Sequence, residues 1–414
     1  MDNQSPLDVT ELFTTILKEL KLQNNNNVVS FGKLDVGYVL CVLTGAYLPI
    51  LNSGKHITFS MYDGLIHSAL VDTFKKGKLS PSNFKTELKN QIKLYEKKEF
   101  QNFTVISPIL CSSIMFGAKS VWGKARISIL KGLPLKYNFE KAFSNFKHDY
   151  DYDLPNDYGF VTIHLQAKSI AEAFESAFNK LDFIRGIWNL FVNLHVPMRI
   201  STGKNQHVNK IVLGPIGTIH NLNGSLASEW SYWSNDDGYL PPSALSIDAV
   251  KWDKIRKFEK STRNKISVLF NKERVINSIV RYCRALDCNN LQETFIQLWA
   301  LLEYLTYTDF DRYDITIRRI CSLYSDTDST RAILELFRNI RNSWVHSGVT
   351  SNNNERHVYL LKRFVEHILL FYINRSHFIR NQNELTQFLD LPFDSEDIHT
   401  KIRIQKNCLK YRKK

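Results

Sequence analysis

Apolar residues recur at helical spacing from residue 7 to residue 22, where Leu7, Leu12, Ile16 and Leu20 share one face. The asparagine run Asn24 to Asn27 ends that helix in a loop. From Val28 to Leu79 short β-like runs (VVSFG, HITFSMY) alternate with apolar helical ones. The uncharged stretch Val36 to Leu51 is shorter than the ~20 residues a membrane helix needs. It carries Gly37, Gly45 and Pro49, so it is expected as a buried core element. Pro81 opens a second amphipathic helix, SNFKTELKNQIKLYEKKEF, as proline does at a first helical turn.

Between Phe103 and Leu130 the runs FTVISPIL and ARISIL are rich in β-branched residues and predict strands. A further strand follows at Phe160-Val-Thr-Ile-His-Leu-Gln, by its alternation. It leads into a helix, SIAEAFESAFNKLDFIRGIWNLFV, with Ser169 as N-cap and Glu172 completing a capping box. Residues 202 to 210 read as a loop, and Lys210 to His220 as a strand with a turn. The crowded polar, glycine and proline residues of Asn235-Asp-Asp-Gly-Tyr-Leu-Pro-Pro-Ser mark a boundary. Beyond it β signals nearly vanish, and helical runs are predicted at 250–270, 272–286, 291–307, 312–324, 329–347, 355–375 and 383–389.

These patterns predict an α+β N-terminal sensing or binding domain over residues 1–245. An all-α helical bundle follows over 250–380, and then a basic tail over 381–414. With 414 residues, 43% hydrophobic and 12% aromatic, the chain has material for two folded cores. The formal net charge of +13 adds a bias towards polyanions, with nucleic acid as the natural partner. The last fourteen residues, KIRIQKNCLKYRKK, hold seven Lys or Arg and no acid. Six scattered cysteines include one close pair, Cys283 and Cys288, whose spacing is not that of a C-x-x-C zinc or redox site. They read as reduced thiols of a cytoplasmic protein. No signal peptide is visible at the N-terminus.

Several chemistries find no support. Gly214-Pro-Ile-Gly lacks the G-x-x-x-x-G-K-[ST] pattern of a phosphate loop, and no H-E-x-x-H, G-x-S-x-G or D-x-D-x-D-G occurs. His357 and His367 are ten residues apart, too far for a paired metal site on one turn, and no metal or cofactor is expected. His164 reads as a satisfied core or edge histidine, the acidic segment 149–157 as a turn, and Trp299 and Trp344 as core.

One stretch does concentrate chemistry: Arg338-Asn339-Ile340-Arg341-Asn342-Ser343-Trp344-Val345-His346-Ser347-Gly348. Asn342 and His346 are i, i+4 and share a helix face, whereas Arg341 points about 140° away from His346. One helix therefore needs the long arginine to wrap round, or a second helix to complete the site. The residue types suit RNA cleavage. Histidine titrates near neutral pH and can exchange a proton with a ribose 2′-hydroxyl or a leaving 5′-oxygen. Arginine clamps a phosphate bidentately, and asparagine orients through a neutral amide. Gly348 stands where a helix C-cap would.

This segment resembles the R-[polar]-x-x-x-H motif of the HEPN superfamily, in its RN form. Upstream, Tyr282-Cys-Arg-Ala-Leu-Asp and Glu293-Thr-Phe-Ile-Gln-Leu-Trp-Ala-Leu-Leu-Glu-Tyr-Leu are similar to the helices that precede the motif in ApeA-like HEPN domains. The resemblance covers roughly residues 255 to 378. It implies a helical bundle that forms homodimers, and metal-independent endoribonuclease action leaving a 2′,3′-cyclic phosphate, often in anti-phage defence or toxin systems. Arg341, Asn342 and His346 become its catalytic residues, with Glu303 at an acidic position that assists in some members. Arg338, Lys410, Arg412 and Lys413 are the expected RNA contacts. The residue two after His346 is Gly348 rather than tyrosine, which departs from HEPN toxins paired with nucleotidyltransferase antitoxins. The alternative is a catalytically silent HEPN-like protein that binds RNA or a nucleotide, or acts as a scaffold.

Overall fold

The computed structural model describes residues 9–23, 28–141, 143–144, 158–194, 207–227, 232–234, 246–308, 312–347 and 354–412. The expected boundary at 235–243, the acidic segment 149–157, Lys413 and Gly348 lie outside these residues, as does most of the expected loop at 202–210.

The first layer is helical. Helix α1 (Thr10–Glu19) leads through a short antiparallel pair, β1 (Lys21–Gln23) and β2 (Val28–Ser30), to α2 (Val36–Leu51). Asp35 caps α2 by accepting from Tyr38 N at 3.2 Å. Val39, Leu43, Tyr47 and Leu51, each four residues after the last, form its buried stripe. Helices α3 (Tyr62–Lys75) and α4 (Pro81–Glu96) complete the layer, with Ser80 capping α4 and Pro81 in its first turn. Phe84 centres this core, its ring 5.3 Å from Phe13 and 4.9 Å from Tyr47. The β-like run HITFSMY is not a strand: it forms one 3₁₀ turn, Phe59–Met61, running into α3. β propensity is realised only beside a partner strand, and here Ser60 N and Oγ are held by the Glu175 carboxylate at 3.4 and 3.1 Å.

An antiparallel sheet follows, in the order β4-β5-β6-β3-β8-β9, with β7 also on β3. Its spine is β3 (Gln101–Leu110) paired with β6 (Tyr158–Ala167) along all ten residues, from Gln101↔Ala167 to Leu110↔Tyr158. β4 (Lys119–Trp122) and β5 (Ala125–Leu130) extend one side. On the other side, β7 (Val212–Leu213), β8 (Ile216–Asn221) and β9 (Tyr232–Ser234) extend it. Pro108 has no N–H to give and sits inside β3. Its neighbour strand breaks there into β7 and β8, with Gly214 N donating to Pro108 O at 2.8 Å. A Cβ on Gly214 would stand 2.7 Å from the Pro108 ring, which explains the Gly214-Pro215 turn.

Helix α5 (Ile170–Leu194) crosses the sheet and is buried on nearly every side. Half of the expected capping box forms at its start: Glu172 N donates to Ser169 Oγ at 3.2 Å, but the Glu172 carboxylate takes the N–H of Lys168 instead of that of Ser169. The buried Glu172 carboxylate does more, accepting from Lys168 N at 2.7 Å and Tyr95 OH at 2.9 Å and pairing with His56 Nδ1 at 3.0 Å. It thereby ties the helical layer to the sheet.

The C-terminal half is helical: α6 (Ala249–Ser267), α7 (Lys272–Asp287), α8 (Leu291–Leu305), α9 (Tyr313–Cys321), α10 (Thr327–Ser347), α11 (Asn354–Arg375), α12 (Gln382–Leu389) and α13 (Ser395–Arg412). An antiparallel sheet in the first half and helices in the second thus match the expected α+β followed by all-α. One apolar core runs from the sheet (Val105, Ile163) through α5 (Ile187) into these helices (Ile279, Leu298, Val365). α5 and α7 approach tightly at Gly186, where a Cβ would lie 2.9 Å from Ile279 O.

The stretch expected as a basic tail is ordered as two helices. Leu385 and Leu389 anchor α12 in the bundle, and Asp390 pairs with Arg318 and Arg319. Helix α13 starts on Asp394, which accepts from Glu396 N and Asp397 N, and buries none of its residues. Its lack of an amphipathic stripe explains why hydrophobic periodicity did not reveal it.

Candidate active site on helix α10

Helix α10 carries the R-N-x-x-x-H segment. Its start is fixed by Asp326, whose Oδ1 accepts from Ser329 N at 3.1 Å; hydrogen bonds from Ser329 hold this carboxyl below its usual range. Leu334, Phe337 and Trp344 form the buried stripe. The Trp344 ring stands edge-on to Phe295 at 4.9 Å, and Phe337 meets the same ring at 5.5 Å. Residue 341 lies four after Phe337 and three before Trp344, so the helix sets Arg341 along the core-facing stripe. It is half-buried there.

Among the described residues its guanidinium meets two side chains. Cζ lies 5.2 Å from the centre of the Tyr313 ring on α9, and Nη1 donates to Asn342 Oδ1 at 3.2 Å. Tyr313 in turn faces Trp299 of α8 at 6.2 Å, and the Trp299 indole N–H donates to Glu303 Oε1 at 2.7 Å. Three helices therefore contribute to one contiguous set: Glu303 and Trp299 from α8, Tyr313 from α9, Arg341 and Asn342 from α10. Glu303 is half-buried and stands beside the site through Trp299. The expectation that Trp299 and Trp344 are core holds, at 1% and 5% exposure.

His346 lies in the last turn of α10, four residues after Asn342. Its side chain is outside the described residues. Arg338, one turn before Asn342, is ion-paired with Glu335 at 2.6 Å. Lys410 and Arg412 are exposed on α13.

Other histidines do packing work. His367 stacks on Tyr324 at 4.4 Å, and His357 stands edge-on to Phe337 at 6.1 Å, with burial pushing its pKa down. His164 bonds Thr104 Oγ1 at 2.9 Å, as expected of a satisfied core residue. Among the described residues no group of three His, Cys, Asp or Glu could hold a metal ion, and no helix is long and apolar enough to cross a membrane. The described cysteines are free thiols. Cys283 is buried, and that burial raises its pKa well above the usual value.

Tyr313 was not found by sequence reasoning. It lies 28 positions before Arg341 in a short helix of its own, and nothing in the pattern ties the two together. No protein-family model, curated protein or solved structure matches this chain.

Proposed function

We propose that the chain is an endoribonuclease of the HEPN type whose reaction is carried by Arg341, Asn342 and His346. The ribose 2′-oxygen attacks the adjacent phosphorus while its proton passes to the His346 imidazole. The bond from phosphorus to the 5′-oxygen breaks, and that oxygen receives a proton. The products are a 2′,3′-cyclic phosphate and a 5′-hydroxyl. Arg341 clamps the phosphate and the charge that develops on it. Asn342 orients it, and Glu303 assists through the Trp299–Tyr313 contact.

The observation that supports this reading best is the Arg341–Asn342 contact over Tyr313. It gathers two of the three motif side chains on a half-buried edge of α10, with the guanidinium held against an aromatic face. Pairing of two chains through the helical bundle would bring a second motif to the same edge, and the homodimer is part of the proposal. Exposed Lys410 and Arg412 on α13 suit the RNA backbone, as does the net charge of +13. Self-limiting RNA cleavage in the cytoplasm during phage infection is the setting in which such an enzyme fits. The test is incubation of the full chain with RNA and a chelator, followed by analysis of the new 3′ ends. Cyclic phosphate ends support the proposal; tight RNA binding with no product after long incubation points to a silent binding protein.

A further inference from the structure

A cavity of about 860 Å³ lies where the N-terminal helices, the sheet and the helices α7 and α8 meet. That size falls within the roughly 300–1,000 Å³ typical of small-molecule sites. One wall is aromatic. Phe174 and Phe178 sit one turn apart on α5, their rings stacked at 5.8 Å and only 4° from parallel. They can lie on β8 because residue 217 is glycine: a Cβ there would be 2.7 Å from Phe178 Cζ. Val212, Leu213 and Pro215 add further apolar lining.

The polar floor is already balanced. Arg185 is fully buried and forms a bidentate pair with Asp287 at 2.9 and 2.6 Å, with Asp182 at 2.7 Å. Arg284 Nε closes the set on Asp182 at 2.7 Å. Two guanidiniums and two carboxylates thus neutralise one another, and an anionic ligand would have to break these pairs. His207, beside Asp287, is pushed down in pKa chiefly by burial, which favours its neutral form.

Two lining carboxylates remain. Glu175 receives hydrogen bonds from Ser60 N and Oγ, and Glu293 from Gln297 Nε2 at 2.8 Å, all neutral donors. Glu175 is three residues from Phe178 on the same helix, so carboxylate and ring are side by side. In a chain of net charge +13, the described residues lining this cavity hold four carboxylates against two guanidiniums, beside an aromatic wall.

We propose that the cavity binds a small amphipathic organic cation, its ring against Phe174 and Phe178 and its ammonium group beside Glu175, with Glu293 adding to the attraction. An ammonium gains both from the carboxylate and from the ring faces, while its apolar part is removed from water. The site is independent of the ribonuclease reading and stands or falls separately from it.

Tryptamine and indole-3-acetate carry the same ring system with opposite charge and make a matched pair of probes. Calorimetric titration of the full chain is expected to give binding of tryptamine with a Kd below about 1 mM and indole-3-acetate at least about tenfold weaker. Glu175→Gln keeps an acceptor for Ser60 and is expected to weaken tryptamine by about tenfold. Phe178→Leu is expected to weaken it similarly. The unliganded melting temperature of each variant checks that the fold is retained, and Glu293→Gln, at an exposed position, serves as a further variant should either unfold. No tryptamine binding up to millimolar concentration would overturn the proposal. So would equal binding of the two probes, or affinity unchanged in every folded variant.

Discussion

Arg341 and Asn342 are bonded side chain to side chain, Nη1 donating to Oδ1 across 3.2 Å. Adjacent helical residues diverge by about 100°, so the contact exists because the arginine stem bends across the helix surface. The neutral amide holds the guanidinium without neutralising it, leaving its charge for a phosphate. Asn342→Asp replaces that amide with a carboxylate of nearly the same shape. An ion pair would then occupy the guanidinium at a gain of about 1 kcal/mol or less, and RNA cleavage is expected to fall by about tenfold or more. The melting temperature is expected to stay level or rise. Cleavage rates and melting curves on the same preparations separate the two effects.

Tyr313 supplies the other constraint on Arg341, through its ring face at 5.2 Å. Such contacts contribute about 0.5–2 kcal/mol. Tyr313→Phe keeps the face and is expected to retain most activity, whereas Tyr313→Ala is expected to lose several-fold to tenfold in kcat. Equal activity of the two variants would show that the ring does not position the guanidinium.

Arg185 depends on Asp287 for two of its hydrogen bonds. Asp287→Ala leaves a fully buried guanidinium with Asp182 and the Ile211 carbonyl alone. The loss is expected near 3 kcal/mol, the lower end for breaking a buried pair because Asp182 remains. Arg284, half exposed, serves as the contrast: Arg284→Ala should cost about 1 kcal/mol or less. Denaturant midpoints of the three proteins check the order.

Stability should also fall on acidification before any carboxylate titrates. Burial is the main reason that His164, His207 and His220 are lowered from their ordinary value of 6.5. Positive Lys136 and Arg126 add to the effect at His164. A histidine whose folded pKa lies below its unfolded one takes up its proton more readily when unfolded. Stability is therefore full above the unfolded pKa of 6.5 and declines as pH falls towards the folded values. The urea midpoint is expected to drop between about pH 7 and about pH 5, with a shallower drop in His164→Gln, which keeps a partner for Thr104. A flat profile over this interval would contradict the burial of these rings.

Much of this architecture was legible because its signals are local. Ser80 before Pro81, Ser169 three before Glu172, and the alternation of Phe160 to Gln166 each report on neighbours in sequence, and each element formed. The run HITFSMY misled because a strand needs a partner, and Ser60 found the Glu175 side chain instead. Helix α13 went unread because it presents no apolar stripe to a core. At the candidate site, the positions of Arg341 and Asn342 on a helix followed from spacing. The tyrosine beneath Arg341 did not, since Tyr313 reaches it from a different helix. The balanced floor of Arg185, Asp182, Asp287 and Arg284 joins α5 to α7 across about a hundred residues of chain, a distance over which periodicity carries no information.

The central claim concerns one reaction and two side chains. The most direct measurement is single-turnover cleavage of a labelled RNA by the full chain, His346→Ala and Arg341→Ala, with a chelator present throughout. The parent is expected to cut and leave 2′,3′-cyclic phosphate ends, and each variant to lose about a hundredfold or more while keeping the parent's melting temperature. Cleavage at equal rates by all three proteins would contradict the assignment.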